Sequence, residues 1–230
     1  MIERILPDTV AVRFATANLP GAVLLSDEEE LAAKMVAPRR AEFATTRHCA
    51  RQALADLGLP PTPIGRGSMG QPQWPAGVVG SLTHCVGYRA AVVASSRSVR
   101  SIGIDAENAG PLPEAALEEA VLPIEREHLA DLRRHDRDVH WDRLLFSAKE
   151  SVYKAWFPLA ECWLGFEDVQ VTFHPEDGGF TARLRGTQRV SGGVELTGFT
   201  GRWLAVGNLV LTSVVVPAET HHANRLTHGA

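Results

Sequence analysis

The feature that most constrains this chain is an apolar strand pattern that carries two carboxylates. Residues 101–107 read SIGIDAE, and successive side chains of a strand point to opposite faces. Ile102 and Ile104 can therefore enter a core while Asp105 and Glu107 point together from the other face. Two carboxylates fixed side by side on a core strand can bind one hard cation together. A solvated loop or a helix cap is the alternative interpretation of such a pattern.

A second acidic segment follows on a predicted helix over residues 141–156. Glu150 and Lys154 are four residues apart, so they share one helix face as an anion beside a cation. On a surface, such a pair would contribute only about 0.3–0.5 kcal/mol. Here it follows the apolar residues 144–146, and charges anchored on core elements point to chemistry. Three carboxylates and one ammonium group together suit Mg²⁺ holding a polyphosphate.

Composition excludes several classes of protein. The 230 residues are 45% hydrophobic and 22% charged, which fits one large or two small globular domains. The formal charge of -4 argues against a nucleic-acid binder. The 3 cysteines lack metal or disulfide spacing and indicate reduced thiols. Neither an export signal nor a stretch of ~20 apolar residues is present, so we expect a cytoplasmic protein without a membrane partner.

Periodicity and punctuation predict a chain of mixed helices and strands. A loop is predicted over residues 60–75, a turn over 81–87, and a hairpin turn over 176–179. The polar residues 219–230 are predicted to form a disordered tail. The predicted helices span residues 26–35, 38–57, 114–120, 124–132 and 141–156, and the predicted strands span 9–17, 78–80, 88–94, 101–107, 169–173, 181–184, 193–199, 203–204 and 209–216.

Four motifs together resemble one family. The runs GIDAE at residues 103–107 and FSAKESVYK at 146–154 look like the two signature motifs of the 4'-phosphopantetheinyl transferases of the surfactin and enterobactin synthetase type. Residues 79–93, VGSLTHCVGYRAAVV, and residues 39–51, RRAEFATTRHCAR, resemble further family segments in the same order. The Phe-Ser-Ala-Lys-Glu form of the second motif is similar to that of the enterobactin-type branch.

The resemblance implies an α+β fold of two similar halves related by a pseudo-twofold axis, each an antiparallel sheet packed with helices. We expect an N-terminal half over residues 1–100, with coenzyme A in the cleft between it and a C-terminal half over 101–218. The implied reaction transfers 4'-phosphopantetheine from coenzyme A to a serine of an apo acyl, peptidyl or aryl carrier protein and releases 3',5'-ADP. The implied metal is Mg²⁺, with Mn²⁺ as an alternative, and we expect a monomer.

Basic residues of the predicted helix over residues 38–57 suit a phosphate. Arg39 and Arg47 are about two turns apart, and paired guanidinium groups bind a phosphomonoester well. The alternative is a solvated basic face, because Arg40 and Arg51 lie on the same helix. The resemblance implies that the arginine pair holds the 3'-phosphate of coenzyme A, with Arg40 as an alternative to Arg39.

The predicted turn at 81–87 offers further phosphate ligands. Exposed N–H groups and hydroxyls of a turn can cradle an anion, although a lone histidine such as His84 is more often structural or idle. By resemblance, His84 contacts a phosphate of the coenzyme, assisted by Ser81 and Thr83. Arg66, in the predicted loop, is a further candidate ligand for the adenosine part.

The resemblance also assigns the reacting groups. Asp105, Glu107 and Glu150 are the implied metal ligands, and Glu150 accepts the serine proton directly or through a metal-bound water. Lys154 pairs with the α-phosphate and stabilises the departing nucleotide. For Lys149, a surface position and a role in the site stay equally open.

Two other functions use the same residues. A magnesium-dependent phosphohydrolase would use the three carboxylates with water as nucleophile, and a coenzyme A binding protein would need no metal. The order of the motifs and the complete acidic set favour the transferase. Because carrier proteins are usually acidic, we expect a locally basic or apolar docking patch. Its candidate residues are Arg126, Arg133, Arg134 and Arg137.

Overall fold

The computed structural model describes residues 1–189 and 195–218, and it has an α+β architecture with antiparallel sheets, as predicted. The predicted tail over 219–230 lies outside these residues. The elements of the first part are β1 (Ala11–Ala15), α1 (Ser26–Ala32), α2 (Ala37–Asp56), β2 (Gly65–Arg66), β3 (Pro72–Gln73), β4 (Val78–Cys85) and β5 (Tyr88–Ser95). Those of the second part are β6 (Val99–Asn108), α3 (Glu114–Ala120), α4 (Pro123–His135), α5 (Trp141–Ala160), β7 (Val169–His174), β8 (Gly179–Arg189), β9 (Glu195–Val206) and β10 (Leu209–Pro217).

The first sheet has the strand order β1-β5-β4, with both neighbouring pairs antiparallel. Strand β5 is central and buried, and α2 packs on the sheet through small side chains that include Ala50 and Ala53. Helix α2 is buried over the continuous run of residues 43–47 and again at Cys49, Ala50, Ala53 and Leu54, and Pro38 lies in its first turn. The predicted loop at residues 60–75 contains the short β2–β3 hairpin.

The second sheet has the order β6-β10-β9-β8-β7, again antiparallel throughout. Helix α5 packs across it, and its core is the largest of the molecule, built around Trp141, Trp156 and Phe173. The predicted hairpin turn joins β7 to β8, where His174 pairs with Gly179. The two strands predicted at residues 193–199 and 203–204 belong to one continuous strand, β9, within the described residues.

Hydroxyl groups of β4 join the two sheets, and this arrangement corrects one prediction. The N–H of Ile104 donates to Ser81 Oγ at 3.1 Å, and the N–H of Ala106 donates to Thr83 Oγ1 at 3.0 Å. Strand β4 therefore continues through residues 81–85, and the predicted turn at 81–87 is wrong apart from its last two residues. A strand can carry these polar side chains here because the backbone of β6 satisfies them.

Hydrophobic burial holds β6 between two layers. Ile102 and Ile104 are buried with Tyr88 and the N-terminal residues Ile2 and Ile5, whereas the alternate side chains of β6 face α5. The predicted alternation along β6 is thus confirmed. No helix in the described part of the chain is long and apolar enough to cross a membrane.

Candidate active site

A cleft of about 860 Å³ lies between α2, the β2–β3 hairpin, strand β4 and helix α5. It brings together side chains that are more than a hundred residues apart in the sequence. Thr83, Asp105 and Glu107 lie outside its lining. The predicted site residues that line the cleft are Arg39, Arg47, Arg66, Ser81, His84, Glu150 and Lys154.

Close packing of β6 against α5 sets the positions of the acidic residues that these two elements carry. A Cβ atom at Gly103 would lie 1.9 Å from the carbonyl oxygen of Ser151, so only glycine permits this approach. Ser101 Oγ donates to the carbonyl of Ala155 at 2.6 Å. The strand that carries Asp105 is thereby fixed against the helix turn that carries Glu150.

Asp105 is buried at this contact, with 5% of its surface exposed. Its Oδ1 accepts from Lys154 Nζ at 2.7 Å and from Thr83 Oγ1 at 3.3 Å, and Lys154 also donates to the carbonyl of Ile104 at 3.1 Å. The second oxygen, Oδ2, is buried and has no hydrogen-bond partner among the described residues. A buried carboxylate oxygen without a donor is costly, and a cation would satisfy it.

Glu107 points to the same side of β6 as Asp105, but an arginine holds it. Arg143 of α5 donates to Glu107 Oε2 at 3.2 Å and to the carbonyls of Gly110 at 3.3 Å and Pro111 at 2.9 Å. Burial raises the pKa of Glu107, and the charge of Asp105 raises it further, while Arg143 acts in the opposite direction. The carboxylate is therefore in a negative environment that a cation would relieve.

Glu150 completes the acidic set from α5. Burial raises its pKa; Lys154 lowers it, whereas Asp105 and Glu107 both raise it. The donor chemistry fits a hard cation, because the charges of Asp105 and Glu107 raise the pKa of Glu150 and Asp105 keeps an oxygen without a donor. As the side chains stand, with Asp105 and Glu107 each paired to a cation of α5, no three potential ligands within residues 1–189 and 195–218 converge on one point.

Arg39 provides a cationic group that lines the cleft from α2. Glu42 lies 3.3 Å from Arg39 through Oε2 and 2.9 Å from the buried Arg89 through Oε1, so one carboxylate links α2 to β5. Arg40 is outside the cleft lining and pairs with Glu29 of α1. Of the two adjacent arginines, Arg39 is the one in position to meet a ligand.

Arg47 is buried as well as facing the cleft. Its Nε donates to the carbonyl of Ile64 at 3.2 Å, and its guanidinium lies 4.0 Å from the centre of the Phe43 ring. Burial lowers the pKa of Arg47 to about 10, and the charge of Glu28 opposes that shift. A solvated basic face is therefore wrong for this part of α2, since Arg51 also pairs with the fully buried Glu28.

His84 lies on β4 and lines the cleft instead of occupying a turn. Enclosure by the protein lowers the pKa of His84 to about 4, with Arg39 acting in the same direction, although the imidazole stays accessible to solvent. The neighbouring Ser81 and Thr83 are buried and accept N–H groups of β6, so their hydroxyls hold the sheets together. Their contact with a phosphate stays a prediction.

The sequence matches one family along most of its length. Residues 27–94 match the N-terminal domain of 4'-phosphopantetheinyl transferases, and residues 101–204 match the 4'-phosphopantetheinyl transferase superfamily. The chain is 48% identical over 233 residues to the 4'-phosphopantetheinyl transferase Svp of Streptomyces mobaraensis, covering 100% of this chain and 95% of that protein. The chain belongs to the 4'-phosphopantetheinyl transferase superfamily.

Other relatives of this transferase agree. The 4'-phosphopantetheinyl transferase PptT of Mycobacterium tuberculosis is 48% identical over 225 residues, which cover 94% of this chain and 98% of the relative. Enterobactin synthase component D of Salmonella typhi is 34% identical over 135 residues, covering 58% of this chain and 55% of that protein. The family predicted from the motifs is thus confirmed, and the phosphohydrolase alternative has no support.

Several residues around the transferase cleft were missed by the sequence analysis. Arg143 carries a local signal, because it precedes Glu150 by seven residues and therefore shares its helix face. Tyr153 lines the cleft one turn after Glu150, but an aromatic at this spacing is usually core. Glu42 and Arg89 form their pair across 47 residues, which no local pattern announces.

Lys149 requires a correction, because the surface alternative for this residue is wrong. The side chain is 1% exposed, and Nζ donates to Glu125 Oε2 and the carbonyl of Ala120, both at 2.8 Å, and to the carbonyl of Phe166 at 3.0 Å. Glu125 in turn accepts the N–H groups of Leu122 and Val171. Lys149 is a structural cation that joins α3, α4 and α5 to the second sheet.

Proposed function

We propose that this transferase moves 4'-phosphopantetheine from coenzyme A to a serine hydroxyl of an apo acyl or peptidyl carrier protein in a Mg²⁺-dependent reaction, releasing 3',5'-ADP. The observation that carries the proposal is that cationic and acidic groups line one cleft. Arg39, Arg47 and His84 line it from α2 and β4, while Glu150 and Lys154 line it from α5, where Lys154 pairs with the buried Asp105. A dianionic end group and a reacting pyrophosphate need these two environments in one ligand site.

The arginines and the histidine of the cleft suit the nucleotide of coenzyme A. Arg39 and Arg47 would bind the 3'-phosphate through charge-assisted hydrogen bonds, and His84 would join them across the cleft. His84 is neutral at physiological pH because its pKa is about 4, so it acts as a hydrogen-bond donor there and adds no charge. Arg66, on β2, would contact the adenosine part.

The carboxylates suit the pyrophosphate, because they would hold a cation beside it. Asp105, Glu107 and Glu150 would hold a divalent cation, Mg²⁺ or Mn²⁺, which neutralises charge on the pyrophosphate oxygens as the bridging bond breaks. Asp105 Oδ2, which lacks a donor, is the oxygen most in need of such a partner. Lys154 and Arg143 balance the charge of this carboxylate set from α5.

The chemical step follows from the positions of Glu150 and Lys154. The serine oxygen attacks the phosphorus that carries the pantetheine, its proton passes to the Glu150 carboxylate, and the bond to the bridging oxygen breaks. Burial raises the basicity of Glu150 and so strengthens it as a proton acceptor. Lys154 would stabilise the negative charge on the departing 3',5'-ADP.

Partner, location and assembly extend the proposal. The acceptors would be small acidic carrier proteins of the kind that serve polyketide, nonribosomal peptide or siderophore synthesis. The protein would act in the cytoplasm as a monomer with halves divided near residue 100, where β6 begins at Val99.

One assay tests the reaction. The protein is incubated with coenzyme A and Mg²⁺, with and without an apo carrier protein, and the carrier mass and the 3',5'-ADP released are measured. We expect one phosphopantetheine per carrier and an equal amount of 3',5'-ADP, with neither product when the carrier serine is replaced by alanine. Release of nucleotide without any carrier would instead indicate hydrolysis and contradict the proposal.

A further inference from the structure

A second cavity, of about 380 Å³, lies outside the catalytic cleft at the start of α5. Two arginines, a histidine and an aspartate line it together with two small apolar residues. The lining residues are Pro111, Arg133, Arg137, Val139, His140 and Asp142.

Some charged residues of this cavity already have partners within the protein, and one does not. Asp142 is buried, accepts the N–H of Leu112 at 3.0 Å and lies 3.6 Å from Arg133, so its carboxylate is used within the protein. Arg137 is exposed and takes part in none of the ion pairs or hydrogen bonds of the described residues. The cavity therefore offers a free guanidinium to an incoming anion.

Arg143 connects the cavity to the catalytic centre. It holds the carbonyls of Gly110 and Pro111 at the cavity wall, and the same guanidinium donates to Glu107. Glu150 is seven residues further along α5, which is two turns or about 10 Å on the same face. A protein interface of ~800 Å² per partner has a radius of about 16 Å, so one bound protein can cover both positions.

The geometry points to a docking contact in which this cavity receives an acidic side chain of the carrier protein. The inference rests on the proposed function, because the carrier serine must reach Glu150. Arg137 would bind the carboxylate through charge-assisted hydrogen bonds, Arg133 would flank it, and Pro111 and Val139 would pack against its methylene groups. Of the predicted basic patch, Arg134 does not contribute, since Asp131 already neutralises it.

The test compares Arg137→Glu with Arg97→Glu. Arg97 is also an exposed arginine, but it lies outside both the cavity lining and the catalytic cleft, so the control makes the same change in net charge. For a carrier that the parent protein modifies, we expect Arg137→Glu to raise the KM for the carrier about tenfold. The KM for coenzyme A should stay unchanged, and Arg97→Glu should match the parent. Fluorescence polarisation of the labelled apo carrier, without coenzyme A, should show the same ranking.

A charge exchange makes the assignment specific. Each acidic residue of the carrier is replaced by lysine in turn, and one such carrier should recover most of the lost efficiency with Arg137→Glu while losing it with the parent. Equal effects of Arg97→Glu and Arg137→Glu, or no carrier variant that restores activity, would overturn the docking contact. If the parent modifies no carrier at all, the proposed function itself fails.

Discussion

At the scale of single residues, the cleft separates neighbours that the sequence leaves equivalent. Arg39 and Arg40 are adjacent, yet only Arg39 lines the cleft, while Arg40 pairs with Glu29. We predict that Arg39→Gln raises the KM for coenzyme A about tenfold or more, since a charge-assisted hydrogen bond is lost. The defect should nearly vanish with 3'-dephospho-coenzyme A, and Arg40→Gln should behave as the parent with both substrates. An equal loss with both substrates for Arg39→Gln would mean that this arginine does not contact the 3'-phosphate.

His84 gives a prediction about pH. In the folded protein its pKa is about 4, below the ordinary value of 6.5, because of enclosure and the charge of Arg39. Protonation therefore favours the unfolded chain, and the stability due to neutral His84 is lost as the pH falls from about 6.5 towards 4. A bound phosphate should raise this pKa by offsetting Arg39. Nitrogen-15 NMR of the imidazole, assigned with His84→Gln, measures both values; an ordinary pKa in the free protein would contradict the prediction.

At the scale of elements, long-range contacts decide where local patterns mislead. Strand β4 was predicted to end at Gly80, because the following serine, threonine, histidine and glycine are typical of a turn. It continues to Cys85 because backbone N–H groups of β6 donate to the hydroxyls of Ser81 and Thr83. Helix α5 was predicted from its period and extends four residues further, to Ala160, with Pro158 in its last turn. Element types were thus largely predictable, whereas the ends depended on partners distant in sequence.

The same reason explains what could be predicted of the site. Local motifs contain Asp105, Glu107, Glu150 and Lys154, and the structure joins two of them directly, Lys154 to Asp105. The ion pair between Arg143 and Glu107 spans 36 residues, and it occupies the Oε2 atom of Glu107. Such pairs depend on how α5 lies on β6, and no spacing rule contains that information.

Lys149 provides the test at this scale. Replacing it by Met would leave the buried Glu125 carboxylate without its cation, and breaking a buried pair costs about 3–5 kcal/mol. We expect Lys149→Met to lower the free energy of unfolding by that amount in urea titrations. The double variant Lys149→Met with Glu125→Gln should recover part of the loss. Arg134→Gln, which removes an exposed pair with Asp131, should change stability by less than about 1 kcal/mol. A Lys149→Met variant as stable as the parent would refute the structural role.

At the scale of the whole molecule, the cleft lies where elements of the two sheets meet. Helix α2 and strand β4 contribute Arg39, Arg47 and His84 from the first sheet, and α5 contributes Glu150 and Lys154 from the second. Gly103 permits the close approach of β6 and α5, and the hydroxyls of β4 fix β6 from its other neighbour. Coenzyme A bound across the cleft would therefore contact both parts of the chain at once.

The most direct test of this account is the rate at which Glu150→Gln modifies an apo carrier protein at saturating Mg²⁺, followed by intact-protein mass spectrometry. Glutamine keeps the size of the side chain but removes the proton acceptor and a carboxylate ligand, so we predict a loss of at least about a hundredfold. Coenzyme A affinity, measured by calorimetry, should change far less, and the exposed Glu119→Gln should match the parent in both. Transfer by Glu150→Gln at the parental rate would contradict the assignment of the site.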